Sequence, residues 1–180
     1  MGMIYENKDI YALEEVTMYS EKENILLGLT ANIFLAGPTP REEHVASWRP
    51  EAINILRDLG YKGNIVIPEP RNGKWTLNYD SQVDWELQSI FNSGNILFWI
   101  PRNMETMPGM TTNVEFGYVV GLKNMCEDPG FYQISAGFPE NTPHTRYLSG
   151  LLRYHSYEPA SSSLEETCKK MIKCINKLIF

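Results

Sequence analysis

The stretch Asn95-Ile96-Leu97-Phe98-Trp99-Ile100, followed by Met110-Thr111-Thr112-Asn113-Val114-Glu115-Phe116-Gly117-Tyr118, sets the terms for the whole chain. The first run is apolar almost throughout, as in a strand buried on both faces of a parallel sheet. A loop with Pro101, Pro108 and Gly109 separates it from an apolar, glycine-dotted segment, Val114 to Leu122, that reads as the next helix. On that reading Glu115 occupies the first turn of a helix after a central strand, and its carboxylate points into the crevice above the sheet. Ligands of open α/β sheets bind in that crevice. The same spacing also fits a capping box, Thr112-x-x-Glu115, whose side chains satisfy free amides at a helix start. Spacing alone leaves both roles open.

Outward from this stretch the same alternation recurs. Asn32-Ile33-Phe34-Leu35-Ala36 and Asn64-Ile65-Val66-Ile67 read as two more buried strands, ended by Gly37-Pro38 and Pro68. Between them Val45, Trp48, Ala52, Ile55, Leu56 and Leu59 fall on one helical face, with Gly60 as the stop. Ser81 opens a helix with the stripe Val83, Leu87, Ile90 and Phe91. Phe131 to Ala136 predicts a fourth strand, His144 to Leu152 a short helix and Tyr154 to Tyr157 a last short strand. Ser161 begins a terminal amphipathic helix carrying Leu164, Met171, Ile175 and Leu178. Such alternation predicts an α/β fold, a parallel sheet with helices on both faces. Residues 31–180 read as one domain. Residues 1–30, with Ile4-Tyr5, Ile10-Tyr11 and Ile25-Leu26-Leu27, read as an extension forming a hairpin or an edge strand.

With 180 residues, 43% of them hydrophobic, the chain is long enough for a sizeable core. Its net charge of -6 argues against a general nucleic-acid binder, which needs clustered Lys and Arg. Small molecules or proteins are the expected partners. Cys126, Cys168 and Cys174 share no metal-like or disulfide spacing, so a reducing cytoplasm is expected. The polar start, Met1 to Ile10, is unlike a secretory leader, and the most apolar run is too interrupted to span a bilayer. His44, His144 and His155 are scattered, so no metal site is expected.

Three loops leave the C-terminal ends of consecutive strands and should open on one crevice: Gly37-Pro38-Thr39-Pro40, Pro68-Glu69-Pro70-Arg71, and the segment leading to Thr111-Thr112-Asn113-x-Glu115. The first is neither a dinucleotide fingerprint nor a P-loop. Gly37 suits either close approach of a ligand or a rigid turn. Asp84, at the edge of the Val83/Leu87 stripe, is a second acid that could be partly buried, or a helix-start acid favoured by the macrodipole. Glu86, two residues on, turns toward solvent on this reading. A pair of carboxylates can cleave a glycosidic bond through a covalent sugar–enzyme ester. Arg49 is placed to bond Glu69 or Asp84. Trp75, in a polar loop, is the aromatic best placed to cover a nucleobase.

These residues, taken in order, resemble the nucleoside 2-deoxyribosyltransferase superfamily, and its deoxyribosyltransferase-like branch most. The resemblance rests on Ile33-Phe34-Leu35-Ala36-Gly37-Pro38, Ser47-Trp48-Arg49-Pro50-Glu51, Pro68-Glu69-Pro70-Arg71, Phe98-Trp99-Ile100-Pro101-Arg102 and Thr111-Thr112-Asn113-Val114-Glu115-Phe116-Gly117. It implies a flavodoxin-like, Rossmann-type three-layer sandwich with a mostly parallel sheet. It also implies cleavage of the N-glycosidic bond of a (deoxy)nucleoside without a cofactor. Glu115 then matches the nucleophile, and Asp84 the acid that orients the sugar or handles the departing base's proton. Gly37 and Pro38 match the loop whose backbone lines the pocket, and Thr39, Arg49, Glu69, Arg71, Thr111, Thr112 and Asn113 are the other residues expected to bind substrate. The sugar passes to a free base in a transferase and to water in a hydrolase; a third reading is a binding module without turnover. The resemblance implies a homo-oligomer too. One departure stands out: where transferases of the group carry another carboxylate upstream of the nucleophile, this chain has Gly109.

Overall fold

The computed structural model describes residues 8–14, 32–75, 77–126 and 131–179. Their strands are β1 (Asp9–Tyr11), β2 (Asn32–Ala36), β3 (Asn64–Ile67), β4 (Asn95–Trp99) and β5 (Gln133–Gly137). Their helices are α1 (Arg49–Asp58), α2 (Tyr79–Asn92), α3 (Met110–Met125), α4 (Arg146–Tyr154) and α5 (Leu164–Ile179). The strands form one sheet in the order β1-β3-β2-β4-β5, and every pairing is parallel. The result is the α/β three-layer sandwich of flavodoxin-like, Rossmann-type proteins.

Alternation within the central strands divides the core. Ile33, Leu35, Ile65, Ile67, Leu97 and Trp99 face Ala52 and Leu56 of α1 and Cys168, Met171 and Ile175 of α5. Phe34, Ala36, Val66, Ile96 and Phe98 face Ile90 of α2, Phe116, Val119 and Val120 of α3, and Leu148 and Leu152 of α4. Each central strand begins with asparagine, and these asparagines are joined. Asn64 Nδ2 donates to Asn32 Oδ1 at 3.1 Å, and Asn95 Nδ2 to the Asn32 carbonyl at 3.0 Å. A one-residue slip of any of these strands would break that chain of amides and turn its apolar residues to the wrong layer.

From β2 the chain moves outward to β3, then crosses back over β2 to reach β4. The strand order thus reverses between β2 and β4, the position at whose C-terminal edge open parallel sheets bind ligands.

Several boundaries differ from those expected. Helix α1 starts at Arg49, with Trp48 as its N-cap and Pro50 in its first turn, so Val45 lies outside it and Arg49 is its first residue. Helix α3 starts at Met110, with Gly109 as N-cap, which places Glu115 in the second turn and excludes the capping box. Helix α2 is capped by Asn78, whose side chain accepts from the Ser81 amide at 3.3 Å. Tyr154 to Tyr157 is no strand: α4 runs through Tyr154, and Ser161 makes the parallel bridge to Gly137. Of the N-terminal pairs, Ile10-Tyr11 lies in β1, an edge strand on β3, while Ile4-Tyr5 and Ile25-Leu26-Leu27 fall outside the described residues, as does the Leu178 side chain. Among the described residues no helix is long and apolar enough to cross a membrane.

Candidate active site

The loop after β2 is shaped by close packing. A side chain at Gly37 would collide with the Trp99 carbonyl and come within 2.8 Å of the Trp48 ring. Gly37 thus serves contact between β2 and β4. The Gly37 carbonyl accepts from Arg49 Nη2 at 2.7 Å, and the buried Pro38 carbonyl accepts from Trp48 Nε1 at 3.1 Å.

Arg49 is the largest fully buried side chain, 1% exposed. Its Nε donates to the Leu35 carbonyl at 3.1 Å, and Nη1 donates to Thr39 Oγ1 at 3.1 Å and Glu69 Oε1 at 2.6 Å. Ser47 Oγ donates to the same Glu69 oxygen at 2.9 Å. One cation thereby ties the loop after β2 to the loop after β3. Burial lowers the guanidinium's pKa; the charges of Glu69, Glu115 and Glu86 oppose that. Of the residues expected to line a pocket, Gly37, Pro38, Thr39, Arg49 and Glu69 come together here, bonded mainly to one another.

The third loop is held by Arg102, itself buried. It donates to the carbonyls of Pro143, His144 and Gly109 and, at 2.6 Å, to Asn113 Oδ1. Asn113 is therefore engaged by Arg102. Gly109 has φ 55°, and a Cβ there would stand 2.5 Å from Pro38 Cβ, so the first and third loops touch at this point. Thr112 is buried and Thr111 exposed.

Glu115 projects from the second turn of α3 into this setting. Burial pushes its carboxyl up from 4.5 to about 7, the negative charge of Glu86 adds to the rise, and Arg49 opposes it. Glu86 is also raised by burial, while the Gln82 hydrogen bond and Arg49 pull it down. Buried Gln82 donates from Nε2 to Glu86 Oε1 at 2.7 Å. The acid whose charge acts on Glu115 is thus Glu86.

Asp84 is exposed. The two acids stand about 200° apart around α2, so only one can face the sheet. The inner face of α2 is polar, with Gln82, Glu86 and Ser89 beside Ile90, whereas Leu87 and Phe91 are 44% and 56% exposed. Of the expected stripe Ile90 is buried and Val83 half-buried, while Leu87 and Phe91 face outward. The signal that could have found Glu86 is its place four residues after Gln82 and four before Ile90, in phase with the residue that anchors the helix. Arg71 lies apart from the Arg49 network. Its Nε and Nη2 donate to the two oxygens of Glu14 at 2.7 and 2.9 Å, and the guanidinium lies 4.2 Å over the Tyr11 ring.

A parallel α/β sheet with two carboxyls raised by burial and a buried arginine acting on both defines a class of site suited to acid–base and covalent chemistry on a small polar substrate. The sequence model of the family described as "nucleoside 2-deoxyribosyltransferase like" matches residues 30–126, more than half of the chain. The chain belongs to that family. The matched residues contain Gly37, Arg49, Glu69, Glu86 and Glu115; β1, β5, α4 and α5 lie outside them. No curated protein matches the chain.

Proposed function

We propose that the protein cleaves the N-glycosidic bond of a (deoxy)nucleoside and transfers the 2-deoxyribosyl group to another base. The observation that carries this reading is the Glu115–Glu86 pair: burial raises both carboxyls, Glu115 to about 7, the Glu86 charge adds to the rise at Glu115, and Arg49 opposes it at both. Two such groups favour a state with one proton and one negative charge between them. That is the equipment for a double displacement.

In the first step a Glu115 oxygen bonds to the anomeric carbon as the bond from that carbon to the base nitrogen breaks. The bonding pair leaves with the base, which takes the proton held by Glu86. In the second step an incoming base gives a proton back to Glu86, and its nitrogen displaces the Glu115 ester. The chemistry needs no cofactor. Asp84, exposed on the outer side of α2, is the competing choice for the acid role. The Arg49 network supports the pocket by fixing the loops after β2 and β3.

The test is incubation of a deoxynucleoside with a second free base, for wild type and for Glu115→Gln and Glu86→Gln. Base exchange by wild type and its loss in both variants supports the reading. Free sugar released without acceptor makes the protein a hydrolase with the same first step. Tight binding without product makes it a binding module.

A homo-oligomer is also part of this reading. It is supported by the exposed apolar residues Leu87 and Phe91 on α2 and Met110, Val114 and Tyr118 on α3, a larger apolar display than scattered surface residues require.

A further inference from the structure

At the outer end of the sheet, reaching Gln82 of α2, lies a hollow of about 380 Å³, within the range of small-molecule pockets, roughly 300–1,000 Å³. Its walls come from two separate pieces of chain: the turn Ala12–Glu14 that follows β1, and the loop from Pro70 to Trp75. Gln82 closes one end, and its amide is the group that holds Glu86. The hollow therefore adjoins the acid that would protonate a leaving group.

The turn is firmly latched. The Ala12 amide donates to the Glu69 carbonyl at 3.0 Å, Trp85 Nε1 donates to the Glu14 carbonyl at 2.8 Å, and Glu14 chelates Arg71. Within it Leu13 is held at φ 65°, the left-handed region that a leucine avoids, and its side chain is 46% exposed where it lines the hollow. A strained residue held by its surroundings and facing an open pocket is the pattern of a ligand contact. Trp75 presents an indole that is 48% exposed. The Arg71 charge is already matched by Glu14, so Lys74 is the remaining cation of the lining, and the exposed indole and Leu13 side chain favour a planar ring over a phosphate.

We propose that the heterocyclic base of the substrate sits in this hollow, stacked on Trp75, with Leu13 and its turn setting which base fits. The inference rests on the glycosidic reading above and adds to it. The turn belongs to residues outside the family match, whereas Trp75 and Gln82 lie inside it. The arrangement puts the base nitrogen on the Glu86 side and the sugar toward Glu115.

The test is calorimetric titration of adenine and of thymine into the full-length protein and into Trp75→Ala, Leu13→Gly and Glu115→Gln. Trp75→Ala should weaken binding about 10-fold, the scale of one lost base–aromatic stack. Leu13→Gly relieves the strained φ, so it should melt no lower than wild type yet bind at least one of the two bases about 5-fold more weakly. A purely structural role for Leu13 would not separate stability from binding in that way. Glu115→Gln should bind both bases as wild type does, so loss of turnover alone leaves this proposal standing. It is overturned if wild type binds neither base, if Trp75→Ala and Leu13→Gly both bind them as wild type does, or if inorganic phosphate displaces them.

Discussion

Arg49 Nη1 stands 2.6 Å from Glu69 Oε1, with the guanidinium 1% and the carboxylate 16% exposed. The pair joins the loops after β2 and β3 beneath the carboxyls of the candidate site. Removing one partner of a buried pair strands the other, at a cost of about 3–5 kcal/mol. Arg49→Met should lower the stability of the protein by that amount in urea denaturation. Arg49→Lys should recover only part of it, since an ammonium cannot reproduce four bonds made by a planar fork.

Glu115 and Glu86 make stability depend on pH in a defined direction. A carboxyl whose pKa is raised on folding binds its proton more tightly in the native state. Its contribution is complete below the unfolded value of 4.5 and is lost as pH rises through about 7. Glu115→Gln removes that loss. Thermal melts from pH 5 to pH 8 should show wild type losing ground steadily to the variant.

The same coupling predicts the pH dependence of activity. The pair works while it holds one proton, so activity should fall as pH rises beyond about 7. The Glu86 charge is one of the two causes that raise Glu115. In Glu86→Gln the Glu115 carboxyl should therefore titrate at lower pH, which carbon-detected NMR of the side-chain carboxyl can follow.

Loss of function separates the two acids of α2. Glu115→Gln should reduce turnover by about 10³-fold or more, as expected for a nucleophile. Glu86→Gln should reduce it by about 10²–10⁴-fold, as expected for a general acid. Asp84→Asn, altering an exposed side chain, should stay within about twofold of wild type. The reverse ranking of the two α2 variants would return the acid role to Asp84.

For the proposed oligomer, Phe91→Asp and Val114→Asp place charges on the exposed apolar faces of α2 and α3. If copies of the chain meet there, light scattering should record a smaller particle for the double variant with an unchanged far-ultraviolet spectrum.

The central strands β2, β3 and β4 were legible in the sequence because buried parallel strands are short apolar runs, and each of these is closed by proline or glycine. Glu115 was legible because it follows the most apolar of them. Glu86 was hidden because Leu87 and Phe91 look like core by composition, while the residues that α2 turns inward are polar. The start of α3 was hidden as well. Nothing in the sequence requires Gly109 to take a left-handed conformation until Pro38, far away in the chain, is packed against it. The full burial of Arg49 also escaped periodicity, since its four hydrogen bonds go to acceptors on two separate segments, Leu35 to Thr39 and Glu69.

The Gly109–Pro38 contact also bears on how this lineage can change. A carboxylate cannot be gained at residue 109 by a single codon substitution, because the first atom of any side chain would land on the proline ring. The loop after β2 would have to give way first, and that loop is fastened by Arg49.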